Sequence, residues 1–183
     1  MNFLASKAQL RASFARWSLF MVPLVVLLGF LGGQMGSPDT LWFQGLTKPA
    51  IFPPSAAFGI VWTVLYVMIG LAVALVASAW GAHGRGLAII AFAIHFVGNL
   101  SWTFAFFGMQ NMPLGLGVLI YTTLTLLVVT WLFWRVRRLA AVILVPYLAW
   151  VTFASVLNWQ FIVENPHGGA NVGEAGAVER VEF

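Results

Sequence analysis

Residues 56–80 read AAFGIVWTVLYVMIGLAVALVASAW, an apolar run broken by no Asp, Glu, Lys or Arg. At a rise of about 1.5 Å per residue, about 20 such residues cross a hydrocarbon core about 30 Å thick, so this stretch predicts a transmembrane helix. The same criterion applied outward from it predicts four more, at 17–33, 87–108, 113–134 and 139–163. Of the 183 residues, 61% are hydrophobic and only 8% charged, against about 45–50% apolar and about 25% charged in soluble domains. The expected fold is therefore all-α: a polytopic membrane protein, a bundle of five transmembrane helices spanning 17–163. A basic N-terminal arm (1–16) precedes it, and a polar, glycine-rich tail (164–183) expected to be flexible follows.

The first span follows Lys7, Arg11 and Arg16, which raises the question of a signal peptide. It lacks a small-residue cleavage site and is long for such a segment, so it reads as a retained helix. There is no cysteine, hence no disulfide, thiolate ligand or cysteine nucleophile. Five spans put the termini on opposite sides. Seven of the nine basic residues, Lys7, Arg11, Arg16, Arg85, Arg135, Arg137 and Arg138, then share one face. The other face holds Lys48, Arg180 and all five acids. The positive-inside rule places the N-terminus in the cytoplasm and the C-terminus outside a bacterial cell membrane. Topology thus explains the basic charge, and no nucleic-acid partner is implied.

The connections at 81–86 (GAHGRG) and 109–112 (MQNM) are short, which predicts that the second, third and fourth helices form an up-down series. The long connection, 34–55, carries residues 48–54, KPAIFPP. Its prolines fix φ and stiffen the loop, and Pro53-Pro54 also suit the start of a helix. Lys48, Pro49, Pro53 and Pro54 are therefore candidate lid residues, with Lys48 available to a carboxylate or a lipid headgroup.

No Asp, Glu, Lys or Arg lies in the core of any span, which removes the coupling groups that ion-driven transporters use. What polarity remains clusters in the third helix, where Phe92, His95, Asn99, Trp102 and Phe106 fall on one stripe. An amide in hydrocarbon needs a partner, so Asn99 should face other helices, as interhelical glue or as a ligand contact. His95 has the same two readings. His83 and His167 lack ligand spacing, and no metal site or obligatory cofactor is expected. In the fifth helix Tyr147, Trp150, Ala154 and Asn158 share a stripe, with Pro146 expected to bend it; in the second, Trp62 and Tyr66 are four apart. Of nine tryptophans, Trp17, Trp80, Trp131, Trp134 and Trp159 suit the interfacial belt. Trp62, Trp102 and Trp150 do not, and with Asn99 they suggest an aromatic-walled cavity for a flat, greasy ligand.

LTKPAIFPP, GIVWTVLYVMIGLA, NLSWTFAFFGMQNM and VPYLAWVTFASVLNWQF, in this order and spacing, resemble the TspO/MBR family of tryptophan-rich sensory and translocator proteins. The resemblance covers about residues 19–161. It implies a five-helix bundle, commonly a homodimer, that binds porphyrins in a cavity closed by the first loop. Carried over by motif, the cavity residues would be Trp62, Asn99, Trp150 and Ala154, with Trp42 and Phe43 from the loop. Phe43 stands where many members have Tyr, and His95 where an amide is frequent. The segment after the last block lacks the tyrosine-then-basic pattern proposed for cholesterol. The leading reading is a porphyrin-binding sensor or regulator. Its alternatives are a light-dependent porphyrin-degrading enzyme using Trp150, a passive transporter of hydrophobic metabolites, and a structural membrane subunit. Gly32 and Gly36 form a small-xxx-small pair that would serve a dimer.

Overall fold

The computed structural model describes residues 6–168. Among these residues, five long helices are apolar enough to span a membrane. They are α1 (Lys7–Gly33), α3 (Ser55–Ala77), α4 (Arg85–Thr103) prolonged by a π-helical turn (Phe104–Gly108), α5 (Met112–Val136) and α6 (Arg138–Glu164). A short helix, α2 (Leu41–Gly45), interrupts the first long connection. Among the described residues there is no strand.

Local chemistry fixes the ends. α1 begins at Lys7, ahead of the apolar run, because Ser6 and Gln9 cap each other. The Ser6 hydroxyl accepts from the Gln9 amide at 3.2 Å, and the Gln9 side chain accepts from the Ser6 amide at 2.7 Å. Arg11 and Arg16 consequently ride on the helix. The Asn111 side chain accepts from the Leu114 amide at 2.9 Å and caps α5, whose first turn contains Pro113. A single extended residue, Arg137 (φ −150°, ψ 106°), turns α5 into α6. Pro146 lies inside α6, which stays helical on both sides of it, as does α1 around Pro23.

The helices do not pack in simple chain order. α5 packs along both α4 and α6, whereas α3 packs chiefly on α1 and α6 and only lightly on α4. The up-down series expected from the short connections is therefore loose at its α3–α4 step. Toward the N-terminal face of the bundle the interior is filled by Ile69, Val73, Leu126, Phe133, Leu144 and Tyr147. A second cluster around Trp42, Phe43, Phe106, Met112, Leu157 and Phe161 lies at the opposite end, under α2.

Arg11, Arg16, Arg85, Arg135, Arg137 and Arg138 all fall at the end where α1 begins, while Asp39, Lys48 and Glu164 fall at the other. Guanidinium groups lie over tryptophan faces there: Arg85 over Trp80 at 4.3 Å, Arg135 over Trp131 at 5.3 Å and Arg138 over Trp134 at 5.4 Å. Gly32 and Gly36 are used within the protomer. A Cβ on Gly32 would stand 2.9 Å from Leu100 Cδ2, and one on Gly36 2.6 Å from Phe107 Cβ. The pair lets α1 and the following turn close on α4.

Candidate functional site

The roof of the site is built by the first connection. The Thr40 hydroxyl accepts from the Phe43 amide at 3.3 Å and starts α2, which turns Trp42 and Phe43 inward. Lys48 closes the helix from its other end, donating from Nζ to the Phe43 and Leu46 carbonyls, the latter at 3.0 Å. A cation suits the negative end of the helix dipole. The ammonium also stands 4.2 Å over the Phe43 ring. Partial burial there lowers the Lys48 pKa from its ordinary 10.5. The Phe52 amide donates to the Pro49 carbonyl at 2.8 Å, so the loop turns back and Phe52 joins Phe43. Pro54 then caps α3.

Beneath this roof is a cavity of about 490 Å³. Phe43 and Phe52 cover it; Trp62 and Tyr66 of α3 form one wall, and Asn99 and Trp102 of α4 another. α6 supplies Ala154, Asn158 and Phe161, while α1 supplies Gly29, Phe30 and Gly33. Trp62 stacks on Tyr66 (centroids 5.3 Å apart, planes at 27°) and Trp102 on Phe106 (5.3 Å, 24°). A Cβ on Gly29 would come within 2.5 Å of Tyr66 ring carbons, so the missing side chain is what seats that ring against α1.

Polar groups are few and mostly engaged. The Tyr66 hydroxyl donates to Asn99 Oδ1 at 3.4 Å, and Trp102 Nε1 donates to Asn158 Oδ1 at 3.4 Å. Asn158 Nδ2 in turn donates to the Met112 carbonyl at 2.9 Å. No Asp, Glu, Lys, Arg or His is among the described lining residues. Such a chamber holds rings by dispersion and a few hydrogen bonds, and would penalise a buried ion.

Of the residues singled out from sequence, Phe43, Trp62, Tyr66, Asn99, Trp102 and Ala154 converge on this cavity. Trp42 stands one layer behind, edge-on to Phe106 at 5.7 Å. His95 is fully buried in the core: Nδ1 pairs with Thr125 Oγ1 at 2.9 Å and Nε2 with the Tyr147 hydroxyl at 3.0 Å. Tyr147 backs the wall from behind, its ring 6.2 Å from that of Trp62. Trp150 lies outside the lining, against Phe58 at 5.8 Å and Phe153 at 5.4 Å, with its indole N–H buried and without a partner among the described residues. Lys48, Pro49, Pro53 and Pro54 shape the roof without lining the chamber. Among the described residues no three His, Asp or Glu side chains gather as a metal site would require.

Phe106, on the stripe read in the third helix, also lines the cavity, whereas the sequence reading missed Phe52, Phe58, Phe107 and Phe161, and the whole contribution of α1. With 16 phenylalanines in the chain, none of them stands out. Asn158 shared the α6 stripe, and its amide in an apolar run was the signal that pointed to it.

The family model described as TspO/MBR family matches residues 21–163. The tryptophan-rich protein TspO of Chlorobaculum tepidum is 35% identical over 147 residues, 79% of this chain and 93% of its own length. The tryptophan-rich sensory protein of Cereibacter sphaeroides is 34% identical over 145 residues, covering 79% and 89%. The translocator protein of Homo sapiens is 32% identical over 134 residues, covering 71% and 79%.

Proposed function

The chain belongs to the TspO/MBR family, and on that premise we propose that it binds flat, hydrophobic, tetrapyrrole-like ligands such as protoporphyrin in the roofed cavity. Occupancy would be read out as a sensory or regulatory signal in tetrapyrrole handling and stress, in keeping with the name of the Cereibacter sphaeroides relative. The observation that carries this reading is an uncharged chamber of about 490 Å³ walled by Trp62, Tyr66, Trp102 and several phenylalanines. Its volume lies in the range of about 300–1,000 Å³ common to small-molecule sites. Ring faces and edges of this kind favour a planar aromatic guest. No base meets a carboxylate inside, so the propionates of a porphyrin would stay at the mouth, near Gln34 and Ser55.

Two other readings fare less well. Light-dependent porphyrin breakdown at Trp150 would need that indole against the ligand, yet Trp150 is not among the lining residues, while its neighbour Phe58 is. Passive transport along the bundle would need a way past the Tyr147, Phe133 and Leu126 core that fills the other half. We place the N-terminus in the cytoplasm and the roof outside, on the asymmetry of basic charge.

The test is a titration of purified protein with protoporphyrin in the dark, following tryptophan quenching. Saturable quenching weakened about tenfold by Trp62→Ala and Asn99→Ala, a loss of about 1.4 kcal/mol, supports the cavity. Quenching that never saturates, and is the same in both variants, refutes it.

A further inference from the structure

The residues just after α6 do not leave the bundle. They fold onto the roof. Asn165 spans the gap with its side-chain amide: Oδ1 accepts from the Thr47 backbone amide at 2.7 Å, and Nδ2 donates to the Thr47 carbonyl at 3.0 Å. The same Nδ2 donates to the Phe161 carbonyl at 2.9 Å, so the amide is held by the helix it terminates. One turn later the Gly168 amide donates to the Asn165 carbonyl at 2.9 Å, and the Gly168 carbonyl accepts from Trp42 Nε1 at 3.3 Å. Gly168 is buried, with Leu46 Cδ2 close enough that a Cβ on the glycine would stand 2.9 Å from it. The segment expected to be flexible thus begins with a turn hydrogen-bonded to the first connection; residues 169–183 lie outside the described residues.

Thr47 sits between the two phenylalanines that roof the cavity, Phe43 and Phe52. Both rings also meet Phe161, each with centroids 5.7 Å apart. Lys48 holds the start of this stretch within the loop, and Asn165 is the side chain that ties its Thr47 backbone to α6. Its two bonds to a single residue resemble a strand pairing reduced to one rung, and neither Thr47 group has another partner in the roof.

We infer that Asn165 is a positioning residue for the ligand site. By clasping Thr47, the turn after α6 latches the roof, and opening of that latch is the step that limits how fast a ligand enters or leaves. The inference rests on the cavity being the ligand site. It goes beyond it by making the end of α6, rather than the lining, the determinant of exchange rate. Removing the clasp should raise the association and dissociation rates together, because the opening step precedes both. The equilibrium affinity should move less than either rate.

The absence of cysteine makes a single reporter simple to place. Leu41, on α2 and 86% exposed, is replaced by Cys and carries a nitroxide in otherwise native, Asn165→Ala and Asn165→Asp proteins. Without ligand, Asn165→Ala should raise the reporter's mobility. With protoporphyrin, stopped-flow quenching should show entry and release each about tenfold faster. Asn165→Asp sets an acceptor-only oxygen against the Thr47 and Phe161 carbonyls, so it should loosen the roof at least as much as Asn165→Ala. A purely structural role for Asn165 would lower the unfolding temperature and weaken affinity without speeding entry, and that result overturns the inference. So does unchanged reporter mobility with unchanged rates in Asn165→Ala. If the native protein fails to bind protoporphyrin, the ligand reading falls, while the reporter still decides whether Asn165 holds the roof.

Discussion

Replacing His95 by Ala would strand the Tyr147 hydroxyl in the core, while Thr125 Oγ1 keeps the Tyr121 carbonyl at 2.8 Å. An unpaired buried hydroxyl costs about 1–3 kcal/mol, so thermal unfolding in detergent should show a clear loss of stability, with a cavity term added to it. His95→Gln, which restores an amide at the same place, should recover part of it. Ligand affinity should follow neither change, since His95 does not reach the chamber. Trp150→Phe is predicted to leave saturable porphyrin quenching in place, because Phe58 rather than Trp150 lines the cavity. Helical spacing in the sequence placed His95 and Asn99 on one stripe, but a stripe extends along the whole helix. Only packing decides that Asn99 meets the cavity while His95 meets α5 and α6. The same holds for Trp150: its position in the sequence suggests a ligand contact, whereas its neighbour Phe58, and not Trp150, lines the cavity.

At the scale of elements, Asn158 ties three pieces together: α6, which carries it, the start of α5 through the Met112 carbonyl, and α4 through Trp102. Asn158→Leu should destabilise the protein by about 1–3 kcal/mol, measured as a lower unfolding midpoint, because the Met112 carbonyl and the Trp102 indole lose their partner. Gly29→Ala should weaken ligand binding and lower the unfolding midpoint together. The new methyl would meet the Tyr66 ring, which is packed on Trp62 and Phe96, and break its 3.4 Å contact with Asn99. The five spans were legible because apolar length alone determines them. α2 was not, since five residues carry no periodicity and the only local signal is the Thr40 cap. The early start of α1 was written in the Ser6 and Gln9 pair, in a stretch too polar to attract attention as part of a span. The π-turn at Phe104–Gly108 has no sequence signature here, yet it brings Phe106 and Phe107 under the roof.

For the whole molecule, the division of the interior is the main finding. One half of the bundle is packed solid, and the other holds a chamber where α3 and α4 stand apart under α2. The uncharged lining predicts that protoporphyrin dimethyl ester binds about as well as the free acid, because neither carboxylate gains a buried partner. Much tighter binding of the acid would place a basic group at the site. Charge asymmetry along the bundle was readable from the sequence, since basic residues are confined to the ends of the spans. How the roof is latched was not, because Asn165 and Thr47 are distant in the chain and neither is unusual where it stands.

The most direct test is to fill the chamber. Ala154→Phe places a ring in the cavity from α6, away from the roof and the charged end. The predicted result is a folded variant, with native helicity and elution, that has lost saturable protoporphyrin binding. Undiminished saturable binding in the same folded variant would put the ligand outside the cavity and contradict the account.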